Sequence, residues 1–221
     1  WSNQDKDKIN AEKTTSFDIG YETYFDALDL GFNITYFDIL IKDPIMGSNI
    51  TSFQDNVPGA ENKSKGIELT TNWTNKKKLD IDFNYTLTRS YSGNDCDKPD
   101  KDKWGLTSCF ASDNKFLKNA MVRVPIHAIG SRIKYQFNKN LKSSLRLTYK
   151  GQIRDYGGAD YSFKDQILDD YLLVDLTSTY ALSENYKIDF SLKNLFDQNY
   201  ENSLDYSGTP RTLNIGFNIA Y

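Results

Sequence analysis

Large apolar side chains alternate with small or polar ones along most of this chain of 221 residues. Successive side chains of a β-strand point to opposite faces, so a period of two predicts strands that each have one apolar face. The C-terminal segment shows the pattern in Leu213, Ile215, Phe217 and Ile219, and it ends on Tyr221. Nine such strands are predicted, at about residues 12–25, 28–36, 50–73, 79–88, 129–137, 142–150, 172–182, 187–193 and 213–221.

The connections between the predicted strands alternate between very short and very long. Tight turns are predicted at residues 26–27, 75–77, 138–140 and 183–185, and the other connections are several times longer. Outer-membrane β-barrels combine short periplasmic turns with long extracellular loops. A periplasmic C-terminus puts all four tight turns in the periplasm. The chain is therefore predicted to be all-β, an antiparallel transmembrane β-barrel wall.

The second face of the predicted strands is strongly charged. It carries Asp18, Glu22, Asp29, Glu68, Asp80, Asp82, Arg132, Lys134, Lys142, Arg146, Lys150, Asp175, Lys187 and Asp189. Such a face is predicted to contact either bulk water or a water-filled barrel interior, because a packed core does not tolerate this many charges.

A soluble antiparallel sandwich would explain the alternation equally well. It would not explain the aromatic residues at both ends of the apolar faces, which are typical of the girdles at two lipid–water interfaces. Toward the long loops these are Tyr36, Tyr85, Tyr149 and Tyr171, and toward the turns they are Phe25, Trp73, Phe137, Tyr180, Tyr186 and Tyr221.

Composition agrees with a barrel and argues against other classes. Hydrophobic residues make up 38% of the chain and the mean hydropathy is −0.63. No apolar run reaches the roughly 20 residues that a membrane helix needs. A barrel strand, in contrast, exposes only every second residue to lipid and so needs no continuous apolar run. The net charge of −3 and the lack of a basic patch argue against a nucleic-acid partner.

Residues that carry chemistry are few. Cys96 and Cys109 lie in one polar stretch, where they either close a disulfide or remain two separate thiols. The single histidine, His127, has no nucleophile and base arranged around it in the sequence, so no enzyme is predicted. No metal site is predicted, because the single histidine lies away from the cysteines and the Asp-rich stretch 93–103 lacks the spacing of a calcium loop. No cofactor is predicted.

Four sequence motifs resemble the C-terminal part of TonB-dependent outer-membrane receptors. Asn194-Leu195-Phe196-Asp197, with Tyr200 and Glu201 after it, is followed by Arg211 and by a strand that ends on the aromatic Tyr221. Residues 12–22 are similar to the E-x-S-x-x-x-E-x-G-Y strand of that family, and residues 64–69 to its G-(V/I)-E strand. Residues 123–127 resemble its R-x-P-x-H segment. The family more often has Gly before the arginine, where this chain has Pro210.

The resemblance implies a bacterial outer-membrane receptor that imports a scarce nutrient with energy relayed by TonB. Its barrel would have 22 strands around an N-terminal plug. Residues 1–221 would then be about the last nine strands, with the plug absent, and the chain would read as the C-terminal piece of a longer protein. Outer-membrane lipids, the TonB complex and the barrel-assembly machinery, which would recognise the C-terminal strand, are the implied partners. A passive porin or a structural barrel without energy coupling is the alternative.

The ligand is predicted to be cobalamin, a ferric siderophore or haem, with the closest resemblance to the cobalamin receptors. Ligand sites mix aromatic faces with a few polar groups, so contacts are predicted in the long loops and at the strand tops. Arg123 and Arg154 are the predicted polar contacts. For each of them, and for each aromatic candidate named next, the structural alternative is a girdle or loop-packing residue. The predicted aromatic contacts are Tyr91, Trp104, Phe110, Tyr156, Tyr161, Phe163 and Tyr206.

Overall fold

The computed structural model describes residues 11–47, 54–56, 61–91, 120–157 and 164–220. The strands in these ranges are β1 (Lys13–Phe25), β2 (Leu30–Lys42), β3 (Ile45–Gly47), β4 (Gln54–Asn56), β5 (Glu61–Thr74), β6 (Leu79–Tyr91), β7 (His127–Gln136), β8 (Leu141–Lys150), β9 (Ile153–Gly157), β10 (Lys164–Leu168), β11 (Tyr171–Ala181), β12 (Tyr186–Lys193), β13 (Glu201–Ser203), β14 (Tyr206–Ser207) and β15 (Thr212–Ile219). None of the described residues forms a helix long and apolar enough to cross a membrane.

Nine of these strands form one antiparallel sheet in the order β1-β2-β5-β6-β7-β8-β11-β12-β15. They correspond one to one to the nine predicted strands, and each pairs with its neighbours along the chain. Within the described residues, β1 and β15 are the two edges of the sheet. The all-β, antiparallel prediction is confirmed, and the sheet is an open section of wall.

The register sorts the side chains of neighbouring strands onto two chemically distinct faces. We call one the apolar face, and one of its rows runs through Tyr21, Ile34, Leu69, Tyr85, Ile129, Tyr149 and Leu172. We call the other the polar face, and one of its rows runs through Asn72, Asp82, Arg132, Arg146 and Asp175. A shift of one residue in any pair would move every side chain of that strand to the wrong face.

The apolar face has no protein layer packed over it. Ile19 remains 61% exposed and Ile215 72% exposed, values that are unusual for large aliphatic side chains. The predicted assignment of residues to this face needs two corrections. Tyr171 pairs with Lys150 and therefore lies on the polar face, and Leu28 lies in a turn instead of in β2. Leu28 was misplaced because the first turn has four residues, 26–29, where two were predicted.

The short turns are closed by local polar contacts. The side-chain oxygen of Asn75 accepts the backbone N–H groups of Lys77, Lys78 and Leu79 at 3.0, 2.8 and 2.9 Å. Asx-type contacts of this kind stabilise a reversal of the chain. The Lys76 ammonium bonds the carboxylate of Asp29 in the neighbouring turn, and this hydrogen bond holds the pKa of Asp29 below its usual value.

The long connections contain three short hairpins that the sequence analysis did not predict. These are β3–β4, β9–β10 and β13–β14, each a two-stranded antiparallel sheet of its own. Their segments have two to five residues each, too few to show a clear period of two, so the sequence carried no signal for them. The hairpins matter because they give the long connections a defined shape above the sheet.

Gly66, in one of the family-like motifs, has a steric role in the sheet. A Cβ atom at this position would overlap the carbonyl oxygen of Leu87 and would lie 2.7 Å from the ring of Phe37. Phe37 is the residue opposite Gly66 in the β2–β5 register, so its ring covers the glycine on the polar face. This cross-strand arrangement explains why the motif requires glycine at this position.

Candidate functional site

The long connections of the C-terminal half of the sheet pack together into one structure. We call it the loop cap and define it as residues 120–126, 151–157, 164–170 and 194–211. Four of the six buried hydrophobic residues in the described chain, Ala120, Ile153, Leu168 and Leu204, lie in it. The other two, Tyr171 and Val174, lie in β11, close below the cap. Side-chain packing is thus concentrated where the sequence shows no hydrophobic periodicity.

Asp155 is the residue that joins the separate connections of the cap. Its side chain is fully buried, with 0% exposure. One carboxylate oxygen accepts a hydrogen bond from Nε of Arg123 at 3.0 Å. The other accepts hydrogen bonds from the Ser203 hydroxyl at 3.0 Å and from the Leu204 backbone N–H at 2.8 Å. Three connections that are far apart in sequence therefore meet at one carboxylate. We call these contacts the Asp155 clasp.

Arg123 carries backbone strain as well as this ion pair. Its φ of 64° lies in the left-handed region, which a bulky side chain rarely adopts. The backbone N–H of Arg123 donates to the carbonyl of Arg154 at 2.8 Å, and its guanidinium is anchored at Nε by Asp155. The side chain nevertheless stays 58% exposed. Strain of this kind persists where the surroundings over-determine it, which is common at ligand sites.

Arg154 is placed differently from Arg123, although both were predicted as ligand contacts. It is only 7% exposed, and its Nη1 donates to the carbonyl oxygen of Ala120 at 2.7 Å. Its guanidinium therefore ties residues 120–126 to β9 from inside the cap. A role in contacting ligand stays a prediction for both arginines, and the present geometry favours Arg123 because its guanidinium reaches solvent.

A small apolar core stabilises the cap beside the clasp. It consists of Ile153, Leu168 and Leu204, which come from the β9–β10 hairpin and from the connection after β12. Next to it, the Tyr171 hydroxyl donates to the Asn202 side chain at 2.6 Å, and the Tyr171 ring lies 4.6 Å from the ring of Tyr200. Since Tyr171 belongs to the polar face, these contacts fold the last long connection over the polar side of the sheet.

Asn194 closes the base of that connection. Its side-chain oxygen accepts the N–H of Gln198 at 2.9 Å, and its Nδ2 donates to the carbonyls of Gln198 and Thr209 at 3.0 and 3.1 Å. The residue is 4% exposed and has a φ of 49°, a conformation that asparagine tolerates better than most residues. The first residue of the N-L-F-D motif is therefore a structural clamp.

The other motif residues extend this clamp. Asp197 accepts the backbone N–H of Arg211 at 2.9 Å, and its carboxylate lies 3.8 Å from the Arg211 guanidinium. The ring of Tyr200 lies directly over Gly208, where any Cβ atom would overlap it. Leu195 donates its backbone N–H to Val174, whereas Phe196 is 68% exposed. The motif thus fixes both ends of the connection from β12 to β15.

The predicted aromatic contacts do not converge on one point within the described residues. Tyr206 is 70% exposed on β14, and Tyr91 is 37% exposed at the end of β6. The backbone of Tyr156 lies in β9, and its side chain falls outside the described part of the chain. Five further predicted positions lie wholly outside the described residues, namely Trp104, Phe110, Tyr161, Phe163 and Tyr221. The cysteines Cys96 and Cys109 lie outside them as well.

The side chain of His127 contacts a neighbouring residue on the apolar face. Its Nδ1 lies 2.9 Å from the hydroxyl of Tyr85, and the two rings stack with centroids 6.1 Å apart. This contact gives the histidine a structural role between β6 and β7. Within the described residues, no group of three or more His, Cys, Asp or Glu side chains is arranged to hold a metal ion.

The polar face carries a cavity of about 720 Å³ at its turn end. Seven basic side chains and one carboxylate, Asp80, line it together with hydroxyl and amide groups. In the register, Arg132 lies opposite Arg146, and Asp82 and Asp175 flank this pair on either side. Lys134 also lies 3.5 Å from Asp82. The wall therefore presents charged groups of both signs on its polar face, the face that the sequence predicted to be charged.

Asp155 and Asn202 were missed because a single acid or amide in a polar loop gives no periodic signal. The only indications were indirect: Asp155 follows the predicted contact Arg154, and Asn202 follows the motif that ends at Glu201. Partners so distant in sequence become recognisable only when the connections are folded together.

Both the sequence and the fold of this chain are similar to those of known proteins. Residues 2–195 match the model of the family described as TonB dependent receptor-like, beta-barrel. The iron-regulated outer membrane virulence protein of Vibrio cholerae serotype O1 is 26% identical over 173 residues, which are 77% of this chain and 23% of that protein. The chain thus spans about a quarter of the length of this curated relative.

Two solved structures share the fold. The ferric-catecholate import receptor Fiu of Escherichia coli K12 superposes with a TM-score of 0.69 at 17% identity, covering 94% of this chain and 27% of Fiu. The pyoverdine outer membrane receptor FpvA of Pseudomonas aeruginosa PAO1 gives 0.70 at 16% identity, covering 96% and 30%. The nine-stranded sheet is thus a section of the same kind of barrel wall, located in the bacterial outer membrane. This chain belongs to the TonB-dependent receptor-like β-barrel family.

Proposed function

We propose that this chain is the C-terminal wall of an outer-membrane receptor that takes up a ferric siderophore with energy from TonB. The Asp155 clasp carries the proposal, since it folds the loop cap over the polar face and gives a ligand a shaped surface. The Vibrio cholerae relative is named for iron regulation, and Fiu and FpvA are named for iron-chelate ligands. The plug and the contact with TonB belong, in this proposal, to other parts of a longer receptor.

Arg123 is the residue that we propose to contact the ligand. Asp155 holds its Nε, which fixes the direction of the side chain, while more than half of the side chain remains exposed. A pre-positioned guanidinium donates paired hydrogen bonds to anionic oxygen atoms, and ferric siderophores commonly present such oxygens. Tyr206 supplies an exposed ring for the same ligand.

The role proposed for the chain is binding and passage, with no reaction assigned to it. The family consists of transport receptors, and the one histidine is already engaged with Tyr85. A passive porin is the competing function. The packed cap argues against it, because a cap folded over the polar face would obstruct free diffusion.

The test uses the full-length parent receptor, purified from outer membranes and offered ferric siderophores, haem and cobalamin. We expect saturable binding of a ferric siderophore, and uptake by cells that is lost when TonB is deleted. Binding of cobalamin alone would restore the ligand that the sequence resemblance favoured. Conductance to small solutes with no binding and no TonB dependence would establish the porin instead.

A pair of variants tests the role of Arg123. Arg123→Gln should weaken ligand binding at least 10-fold, because the fixed cation is lost. Lys139→Gln removes an exposed charge from the turn 137–140 at the opposite end of the wall, so it should bind like the wild type. Equal affinity of both variants would remove Arg123 from the ligand site and leave the transport proposal intact.

A further inference from the structure

The charges on the polar face are sorted by strand. On β1, β2, β5 and β6, each charged residue of this face is acidic, namely Asp18, Glu22, Glu68, Asp80 and Asp82. On β7 and β8, each charged residue of this face is basic, namely Arg132, Lys134, Lys142, Arg146 and Lys150. We call these five basic residues the basic track. Two neighbouring strands of the described wall therefore present a line of cations beside an acidic surface.

The basic track runs from the loop end of the wall to its turn end. Lys150 is the last residue of β8, and Arg146 lies two rows below it, opposite Arg132. Lys134 and Lys142 lie in the next two rows. Each residue of a strand rises by about 3.3 Å, so the track is about 26 Å long and its largest step is about 13 Å. The cations are thus spaced along most of the length of the strands.

The upper end of the track lies next to the proposed ligand contact. Residues 120–126, which include Arg123, lead directly into β7. β8 ends at Lys150, and the N–H of Gly151 then donates to the carbonyl of His127, the first residue of β7, at 2.8 Å. The two strands that carry the track therefore begin and end immediately below the segment that holds Arg123.

The lower end of the track opens into the cavity at the turn end of the polar face. This cavity of about 720 Å³ is lined by four of the five track residues, by residues 76–78, which are all lysine, and by the hydroxyl groups of Ser144 and Thr177. Ligand sites in proteins commonly measure about 300–1,000 Å³. Cations combined with hydroxyl donors match a ligand that presents several anionic oxygen atoms.

The carboxylates beside the track are engaged by other groups. Asp82 lies opposite Arg132, and Asp175 lies opposite Arg146. The Asp82 carboxylate, however, pairs with Lys134 at 3.5 Å, and the Asp175 carboxylate accepts a backbone N–H of the loop cap at 2.9 Å. Neither arginine forms an ion pair with another described residue. Their guanidinium groups are therefore available to an anionic ligand.

We propose that the basic track is the route by which an anionic ferric chelate passes from the loop cap to the periplasmic end of the barrel. This inference rests on the proposed function and names its ligand class, a ferric complex with excess negative charge on its oxygen atoms. Passage requires several sites that each bind the ligand weakly enough to release it. Successive rows of cations supply such sites, and the acidic strands beside them repel the same ligand.

The first experiment separates passage from capture in the full-length parent receptor, with a radiolabelled ferric tris-catecholate as the probe. Lys142→Gln/Arg146→Gln should lower the saturating rate of uptake by cells at least fivefold, while the affinity of the purified variant stays within twofold of the wild type. Lys142→Arg/Arg146→Lys keeps both charges and should restore uptake. The matched control, Lys63→Gln/Lys65→Gln, removes two cations from the apolar face and should take up the probe like the wild type.

Three results for the glutamine variant of the track would overturn the proposal. Uptake at the wild-type rate would show that the ligand passes elsewhere. A loss of affinity that matches the loss of uptake would place the track in the capture site. Entry of an antibiotic too large for porins would show that the track holds a plug in place. In all three cases, uptake of the probe by the wild type leaves the ferric-siderophore proposal standing.

A second measurement tests the ligand class in the wild-type receptor. An anionic ferric tris-catecholate and a neutral ferric tris-hydroxamate are offered to cells, and we expect uptake of the anionic complex only, because a neutral complex gains little from the cations. Uptake of the neutral complex alone would overturn this inference and leave siderophore uptake intact. Failure of the receptor to bind or import either complex would overturn both proposals.

Discussion

The sheet and the loop cap bury their side chains in opposite ways. In the sheet, large apolar residues such as Ile19 and Ile215 stay more than half exposed, whereas in the cap Ile153 and Leu204 are almost completely buried. The sheet spans a bilayer, so lipid takes the place of a packed core on its apolar face. The cap lies in water and must supply its own core. The contrast teaches that the solvent of each region decides what holds it together.

Polar groups show the same division. Backbone groups in the sheet are satisfied by regular ladders between neighbouring strands. The cap has only short ladders, and several of its other backbone N–H groups donate to the side chains of Asp155, Asn194 and Asp197. A single substitution should therefore open the cap, whereas the sheet should respond mainly to charge placed in lipid.

The largest effect is expected for Asp155→Ala. The Leu204 N–H and the Ser203 hydroxyl lose a buried acceptor, and Arg123 loses its anchor. Together these losses should lower the free energy that keeps the cap closed by about 3–5 kcal/mol. Hydrogen exchange in the parent receptor should then show faster exchange in residues 120–126 and 200–207. Asp155→Asn, which keeps one oxygen, should show a smaller change, and unaltered exchange in both variants would contradict the clasp.

The next largest effect is expected in the sheet, from Leu145→Lys compared with Ser144→Lys. Leu145 lies on the apolar face between Ile133 and Leu176, and Ser144 lies on the polar face. A lysine at lipid depth costs about 2–4 kcal/mol, whereas the same residue on the polar face reaches water. Unfolding of the parent receptor from lipid vesicles in urea measures the difference. Equal destabilisation by the two substitutions would mean that the faces are assigned wrongly.

The smallest of the three effects is expected at the junction of the two regions, for Asn194→Ala. The variant loses three hydrogen bonds and places alanine at a φ of 49°, so a loss of about 2–3 kcal/mol is expected. Asn194→Gly is the control, since it loses the bonds but tolerates the backbone. Thermal unfolding should rank wild type above glycine and glycine above alanine. The reverse order of the two variants would show that backbone strain is irrelevant here.

The sequence predicted the sheet well for a physical reason. Its nine strands have a period of two, and lipid on one side with water on the other imposes that period at every position. The misplacements of Leu28 and Tyr171 occurred at strand ends, where a turn or a packed loop replaces the regular environment. The N-L-F-D resemblance located the motif, but only the folded structure shows that Asn194 acts as a clamp.

By itself, the sequence determined the two faces, the alternation of turns and loops, and the family, because each depends on residues that are near one another or repeat regularly. Only the tertiary structure decided that Asp155 joins three connections, that Arg154 is buried while Arg123 reaches solvent, and that Arg132 lies opposite Arg146. These contacts join residues far apart in the chain or depend on the register between strands. No local pattern of residues encodes them, since they arise only when the connections fold together and the strands align.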